Sequence, residues 1–215
     1  MTKSGFLKLG ITSRVTENIS YVEKRDAISH DWSKFLEKIH AYPIVIPNSI
    51  SKPQDFFSEM DLNGFILSGG DNIGDNPERD RIEKSILDYG INKMLPIFGV
   101  CRGMQVINAY FGGSIQNISN NDHVNTNHIV KIQNNEFFAE TQNLMQVNSY
   151  HNNIIKKGTL GKNLTPFAIS QHDDTIEGFF HNEFPIRGVM WHPERQQTTF
   201  DQKMFQNFFT TSAKS

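Results

Sequence analysis

Cysteine is almost missing from this chain: one residue, Cys101, in 215. A single thiol cannot form an internal disulfide or build a cysteine-based zinc cluster, so neither is expected to hold the fold together. A surplus of basic charge is missing too. The chain carries 21 Lys and Arg against 23 Asp and Glu, a net charge of −2. That balance argues against a nucleic-acid partner. No apolar run nears the roughly 18 residues of a membrane span. The start, Met1 to Leu7, lacks the apolar core of a secretion signal. A cytoplasmic protein without a membrane partner is therefore expected. Repeats and long linkers are also lacking. A chain of this length can bury about 70% of its unfolded surface, and residues 1–215 read as a single domain.

What is present is alternation. Phe6–Ile11, Ala41–Ile46, Gly64–Leu67 and Leu95–Val100 read as short apolar strands. Between them, Asp31–Ile39 places Trp32, Phe35, Leu36 and Ile39 at helical spacing, and Pro77–Leu87 and Met104–Phe111 read as further helices. Strands and helices in this order predict βαβ units and a parallel sheet covered on both faces. The second half reads differently. Segments 128–132, 144–148, 167–171, 175–180 and 186–191 are strand-like and follow one another, so antiparallel additions are expected. A final helix, Gln202–Phe209, carries Phe205, Phe208 and Phe209.

The strongest local signal surrounds the lone thiol, in Gly99-Val-Cys101-Arg-Gly103-Met-Gln105. An apolar strand runs into Gly-x-Cys-x-Gly and then a helix, the pattern of a nucleophile elbow with Cys in the Ser position. Free Cys is usually inert packing. The flanking glycines shift the reading to a nucleophile. They allow a sharp turn that lifts the sulfur to the edge of the sheet, where the helix aims its amides and positive dipole end at it.

A thiol nucleophile needs a base, normally His. His192 ends an apolar strand in Gly188-Val-Met-Trp-His-Pro-Glu194, and Glu194 stands two positions on. In extended chain such residues share a side, so Glu194 is expected to accept from the imidazole and fix its tautomer. Read alone, the segment is equally an ordinary His-Pro-Glu turn. An oxyanion formed by attack on an amide needs donors. The N–H of Arg102 is one, and Gly70 in the turn Leu67-Ser-Gly-Gly70-Asp71 offers a second. His123 and His128 beside Asp122 suggest a metal site, but further ligands at suitable spacing are lacking, so neither metal nor cofactor is expected.

In order and spacing, six stretches resemble the class I glutamine amidotransferases, and more closely their γ-glutamyl hydrolase branch, peptidase family C26. They are 67–71, 79–80, 99–105, 111–114, 147–151 and 188–194. The resemblance implies a flavodoxin-like three-layer α/β fold, mostly parallel in its central sheet. It implies a Cys101–His192–Glu194 triad, a γ-glutamyl thioester and release of glutamate. It places Gln105, Asn148, Ser149, Tyr150 and His151 at the amino-acid end of a small-molecule γ-glutamyl substrate. Arg102 after the Cys and Trp191 before the His match stand-alone hydrolases. Subunits that pass ammonia to a synthase more often carry an apolar residue after the Cys. The N-terminal segment, with Arg14, Tyr21 and Arg25, resembles a short subgroup from bacterial surface-polysaccharide gene clusters. One activity there removes glutamate from γ-glutamyl-CDP-amidate, towards capsular phosphoramidate. The alternatives are hydrolysis of γ-glutamyl-γ-aminobutyrate and a glutaminase subunit that delivers ammonia to a synthase partner. Arg14, Lys24 and Arg25 would then meet a diphosphate, or else sit in a solvated loop leading to the Trp32 helix. A homodimer is compatible with this reading.

Overall fold

The computed structural model describes residues 5–18, 20–117, 124–133 and 144–211. The first half starts with β1 (Leu7–Thr12), a hairpin of β2 (Arg14–Glu17) and β3 (Lys24–Ala27), and α1 (His30–Lys38). It continues through β4 (Ala41–Ile46), α2 (Pro53–Glu59), β5 (Gly64–Leu67), α3 (Pro77–Lys93), β6 (Ile97–Val100) and α4 (Arg102–Tyr110). The second half holds β7 (Gln116–Asn117), β8 (Val124–Ile132), β9 (Leu144–Tyr150) and β10 (Asn153–Ile154). Then come β11 (Leu164–Ser170), β12 (Ile176–His181), β13 (Ile186–Val189), α5 (Pro193–Gln196) and α6 (Thr199–Thr211).

Nine strands make one sheet in the order β4-β1-β5-β6-β13-β12-β11-β8-β9. From β4 to β13 every neighbouring pair is parallel. From β13 to β9 every pair is antiparallel. Helices cover both faces. On one, Trp32, Phe35 and Leu36 of α1 and Phe205, Phe208 and Phe209 of α6 pack on Leu9, Ile11, Phe98 and Val100. On the other, Phe57 of α2, Ile82 and Ile86 of α3, and Met104 and Ile107 of α4 pack on Phe65, Leu67 and Ile97. Each such buried side chain contributes about 1.5–3 kcal/mol. The three-layer, flavodoxin-like α/β architecture is the expected one. Among the described residues no helix is long and apolar enough to cross a membrane.

Three expectations need correction, and one helix, α2, was not expected. Strand β13 is not an antiparallel addition: its tight hairpin with β12 is antiparallel, but its other neighbour is β6, and that pairing is parallel with Val100 opposite Val189. A hairpin signal reports one neighbour of a strand and not the other. Helix α3 runs to Lys93 because Gly90 is not its end. A Cβ there would lie 2.6 Å from Ile97 Cδ1, so the glycine marks a close approach to β6. Helix α2 went unread, although Pro53 at its first turn is a start signal. The Arg14–Arg25 loop is largely the β2–β3 hairpin, whose exposed residues show no apolar alternation. Asp26 ties it down, accepting from the Asn48 backbone N–H at 2.9 Å and from Asn48 Nδ2 at 2.6 Å.

Candidate active site

Strand β6 turns into α4 at Cys101, whose backbone sits at φ 52°, ψ −106°. A side-chain-bearing residue reaches this region only under constraint, and the constraints are visible. The Cys101 N–H donates to the Val189 carbonyl at 2.8 Å, and its carbonyl accepts from the Gln105 N–H at 3.1 Å. The turn is tight enough that a Cβ on Gly103 would stand 1.9 Å from the Leu67 carbonyl oxygen. A Cβ on Gly99 would stand 2.7 Å from the backbone of Gly103. Both glycines read from the sequence are therefore sterically required. The thiol is 6% exposed.

Register delivers the imidazole. Val189 ends β13 opposite Val100, so the two chains leave the sheet edge side by side, one into Cys101 and the other into His192. Two anchors hold the second exit. Trp191 Nε1 donates to Asp201 Oδ1 at 3.0 Å. Asn148 accepts from the His192 N–H at 2.8 Å and donates to its carbonyl at 2.9 Å. His192 Nδ1 lies 2.7 Å from Glu194 Oε1, with both side chains buried. The extended-chain argument for that pair needs amending: His192 is the extended N-cap of α5, and Glu194 sits in its first helical turn. With Nδ1 engaged, Nε2 is the nitrogen left to meet Cys101. Burial pushes His192 towards the neutral form, but hydrogen bonds with Cys101 and Glu194 and their negative charge outweigh it and raise its pKa to about 9. A thiol, an imidazole and an orienting carboxylate in this order can support attack on a carbonyl and proton transfer to a leaving group.

The turn Ser68-Gly69-Gly70 closes over this group. A Cβ on Gly69 would lie 2.7 Å from His192 Cε1 and 3.6 Å from Cys101 Cβ. Gly70 has φ +144° and backs onto Arg79 and Arg14. Arg102 begins α4, and its buried guanidinium pairs with Glu83 and Asp80. This buried pairing gives the side chain after the thiol a place that its sequence position did not reveal.

The remaining expected substrate residues divide. Tyr150 is exposed and meets His192 edge to face, ring centroids 5.8 Å apart, while Arg195 lies 4.1 Å over the Tyr150 ring. Gln105 is buried, with Nε2 3.6 Å from Met190 Sδ. Asn148 spends both ends of its amide on the backbone of His192, a holding role that the motif alone did not suggest. Ser149 is fully buried. His151 Nδ1 lies 3.0 Å from the Asn153 carbonyl, and its Nε2 lies 3.7 Å from Glu177, which also meets His128 at 3.3 Å. Asp122 and His123 lie outside the described residues. Among the described residues, no three His, Cys, Asp or Glu are grouped to hold a metal.

A cavity of about 340 Å³ opens beside His192 and Glu194, lined further by Arg14, Trp32, Gly69 and Arg195. Arg14 is thus brought to the site. Arg25 is not: its guanidinium bonds Tyr21 Oη at 2.7 Å and Glu23 at 2.8 Å on the exposed hairpin. Trp32 and Arg195 were missed. Trp32 carried only a core signal, and Arg195 directly follows the His-Pro-Glu segment.

The model for the family "Glutamine amidotransferase class-I" matches residues 21–212. The γ-glutamyl-CDP-amidate hydrolase of Campylobacter jejuni is 32% identical over 209 residues, covering 94% of this chain and 97% of that protein. The aminodeoxychorismate/anthranilate synthase component 2 of Bacillus subtilis is 28% identical over 196 residues, covering 91% and 97%. The crystal structure of a glutamine amidotransferase from Thermotoga maritima shares the fold, with a TM-score of 0.68 at 12% identity over 97% of this chain and 99% of that one. The chain belongs to the class-I glutamine amidotransferases.

Proposed function

We propose that this chain is a stand-alone hydrolase of γ-glutamyl amides, acting as one catalytic domain in the cytoplasm. Cys101 Sγ attacks the γ-carbonyl carbon, and the C–N bond breaks as His192 gives its proton to the leaving nitrogen. The product is a γ-glutamyl thioester on Cys101. His192 then takes a proton from water, the water oxygen bonds to the acyl carbon, the C–S bond breaks, and glutamate leaves. Glu194 keeps Nδ1 engaged so that Nε2 faces the reaction. The N–H groups of Gly70 and Arg102 stabilise the oxyanion, each by about 2.7–4 kcal/mol. Gln105, Ser149, Tyr150 and His151 bind the glutamyl end. The observation that carries this reading is the strained elbow at Cys101 facing an imidazole held 2.7 Å from a buried carboxylate.

The substrate we favour is γ-glutamyl-CDP-amidate, within capsule polysaccharide biosynthesis. Two things support it: Arg14 in the cavity beside His192, and a likeness to the Campylobacter hydrolase that runs through 94% of the chain. The test is glutamate release from γ-glutamyl-CDP-amidate, γ-glutamyl-γ-aminobutyrate and glutamine, by wild type and Cys101→Ala. Release that is fastest from the CDP-linked amide and lost in the variant is expected. Equal behaviour of the two proteins on every substrate would sink the proposal.

A further inference from the structure

Helix α3 contains a carboxylate that the reaction does not touch but that joins both sides of the oxyanion site. Glu83 is fully buried. Its Oε1 accepts from Arg79 Nε at 2.9 Å, and its Oε2 accepts from Arg102 Nη1. Each arginine then leads to one oxyanion donor. Arg79, also fully buried, gives Nη2 to the Ser68 carbonyl at 2.8 Å, Ser68 Oγ at 3.2 Å and the Gly69 carbonyl at 3.2 Å. The Gly69 carbonyl and the Gly70 N–H belong to one peptide unit. That unit is planar and trans, so the two groups point opposite ways. Gripping the carbonyl from beneath therefore fixes where the N–H aims. Arg102 contributes the other N–H, and its side chain is clamped by Glu83 and by Asp80 at 2.5 Å.

We propose that Glu83 is a positioning residue that locks the N–H groups of Gly70 and Arg102 into one oxyanion-binding geometry, through Arg79 on one side and Arg102 on the other. This rests on the hydrolase reading above. A buried charge network is a poor way to stabilise a fold, since apolar residues of similar volume commonly serve as well or better. It is a good way to aim dipoles, because charged hydrogen bonds are directional. Without the Glu83 charge, two buried guanidinium groups face each other, and the grip on the Gly69 carbonyl loosens.

An oxyanion geometry acts in the transition state and leaves ground-state binding and thiol reactivity alone, which separates this role from a structural one. The test uses the whole chain as Glu83→Gln and Arg79→Lys. It measures kcat and KM on γ-glutamyl-p-nitroanilide and the rate at which iodoacetamide alkylates Cys101, the sole cysteine. Expected is a fall in kcat of about tenfold or more, with KM and alkylation rate within about twofold of wild type. A well-folded Glu83→Gln protein with wild-type kcat overturns the role. So does a fall in kcat matched by an equal fall in alkylation. If Glu83→Gln shows no cooperative melt, Arg79→Lys decides by the same criteria. A wild type that releases no product from any γ-glutamyl amide overturns the hydrolase reading and this role with it. An active wild type with fully active variants overturns this role alone.

Discussion

Asn148 grips His192 by both of its backbone polar groups, N–H to Oδ1 at 2.8 Å and carbonyl to Nδ2 at 2.9 Å. The two residues lie 44 positions apart in sequence, on β9 and at the start of α5, and both are buried. Replacing Asn148 with Ala strands two buried backbone groups at a cost of about 1–3 kcal/mol each. Lower stability in urea and a slower glutamate release are expected together. Asn148→Asp keeps the acceptor and loses the donor, so it should fall between Ala and wild type. A wild-type rate in Asn148→Ala would show that His192 needs no such grip.

Protonation gives a second prediction. In the proposed mechanism the acid that serves the leaving nitrogen is the His192 imidazolium, and the His192 pKa is raised to about 9. Raising the pH through that value removes the acid, so kcat/KM is expected to decline on the alkaline side near pH 9. Below it the imidazolium persists and this limb is flat. Glu194 is among the groups that raise His192. Glu194→Gln should therefore bring the decline to lower pH and slow the reaction. An alkaline limb that stays in place in this variant would remove Glu194 from its assigned role.

The two hairpin arginines should separate. Arg14 lines the cavity beside His192, whereas Arg25 is engaged by Tyr21 and Glu23. Arg14→Ala is expected to raise KM for an amide with a diphosphate leaving group and to leave a neutral leaving group unaffected. Arg14 is exposed, so a charge contact there is worth about 0.2–1 kcal/mol, or up to roughly fivefold in KM. Arg25→Ala should change neither. A neutral substrate hit as hard as the charged one would mean that Arg14 supports the loop and does not read the leaving group.

Stability rests on the aromatic layer under α6. Phe205 meets Phe98 at 4.0 Å and Phe35 at 5.0 Å between ring centroids. Phe205→Ala leaves a cavity across two layers, and a loss of about 3–5 kcal/mol is expected from chemical denaturation. A loss under about 1 kcal/mol would mean that the layer repacks around the gap.

Much of this is legible in the sequence alone. Gly99 and Gly103 announced the elbow because no larger residue fits beside Leu67 and Ile107. The apolar runs announced the parallel half because a strand buried on both faces has no polar alternation. Other features left no local trace. Arg14–Ala27 is a hairpin of charged and polar residues, so its period is invisible. Glu83 stands one helical turn after Arg79, which reads as a surface pair. Only packing against Arg102, 19 positions on, turns it into a buried junction. Asn148 sits inside a recognisable motif, yet its bonds to His192 join the edge strand β9 to a residue 44 positions on, which no local pattern reports.

The parallel pairing of β6 with β13 has a consequence for how molecules are counted. Residues up to Arg102 supply the thiol and both proposed oxyanion amides, while His192 and Glu194 come from the end of the chain. The halves meet through one register, Val100 against Val189. A slip of two residues would carry the imidazole about 6–7 Å along the strand, out of reach of the sulfur. Slipped molecules would keep their helices and strands and look folded by circular dichroism. Turnover would count only those in which the two halves have met in step.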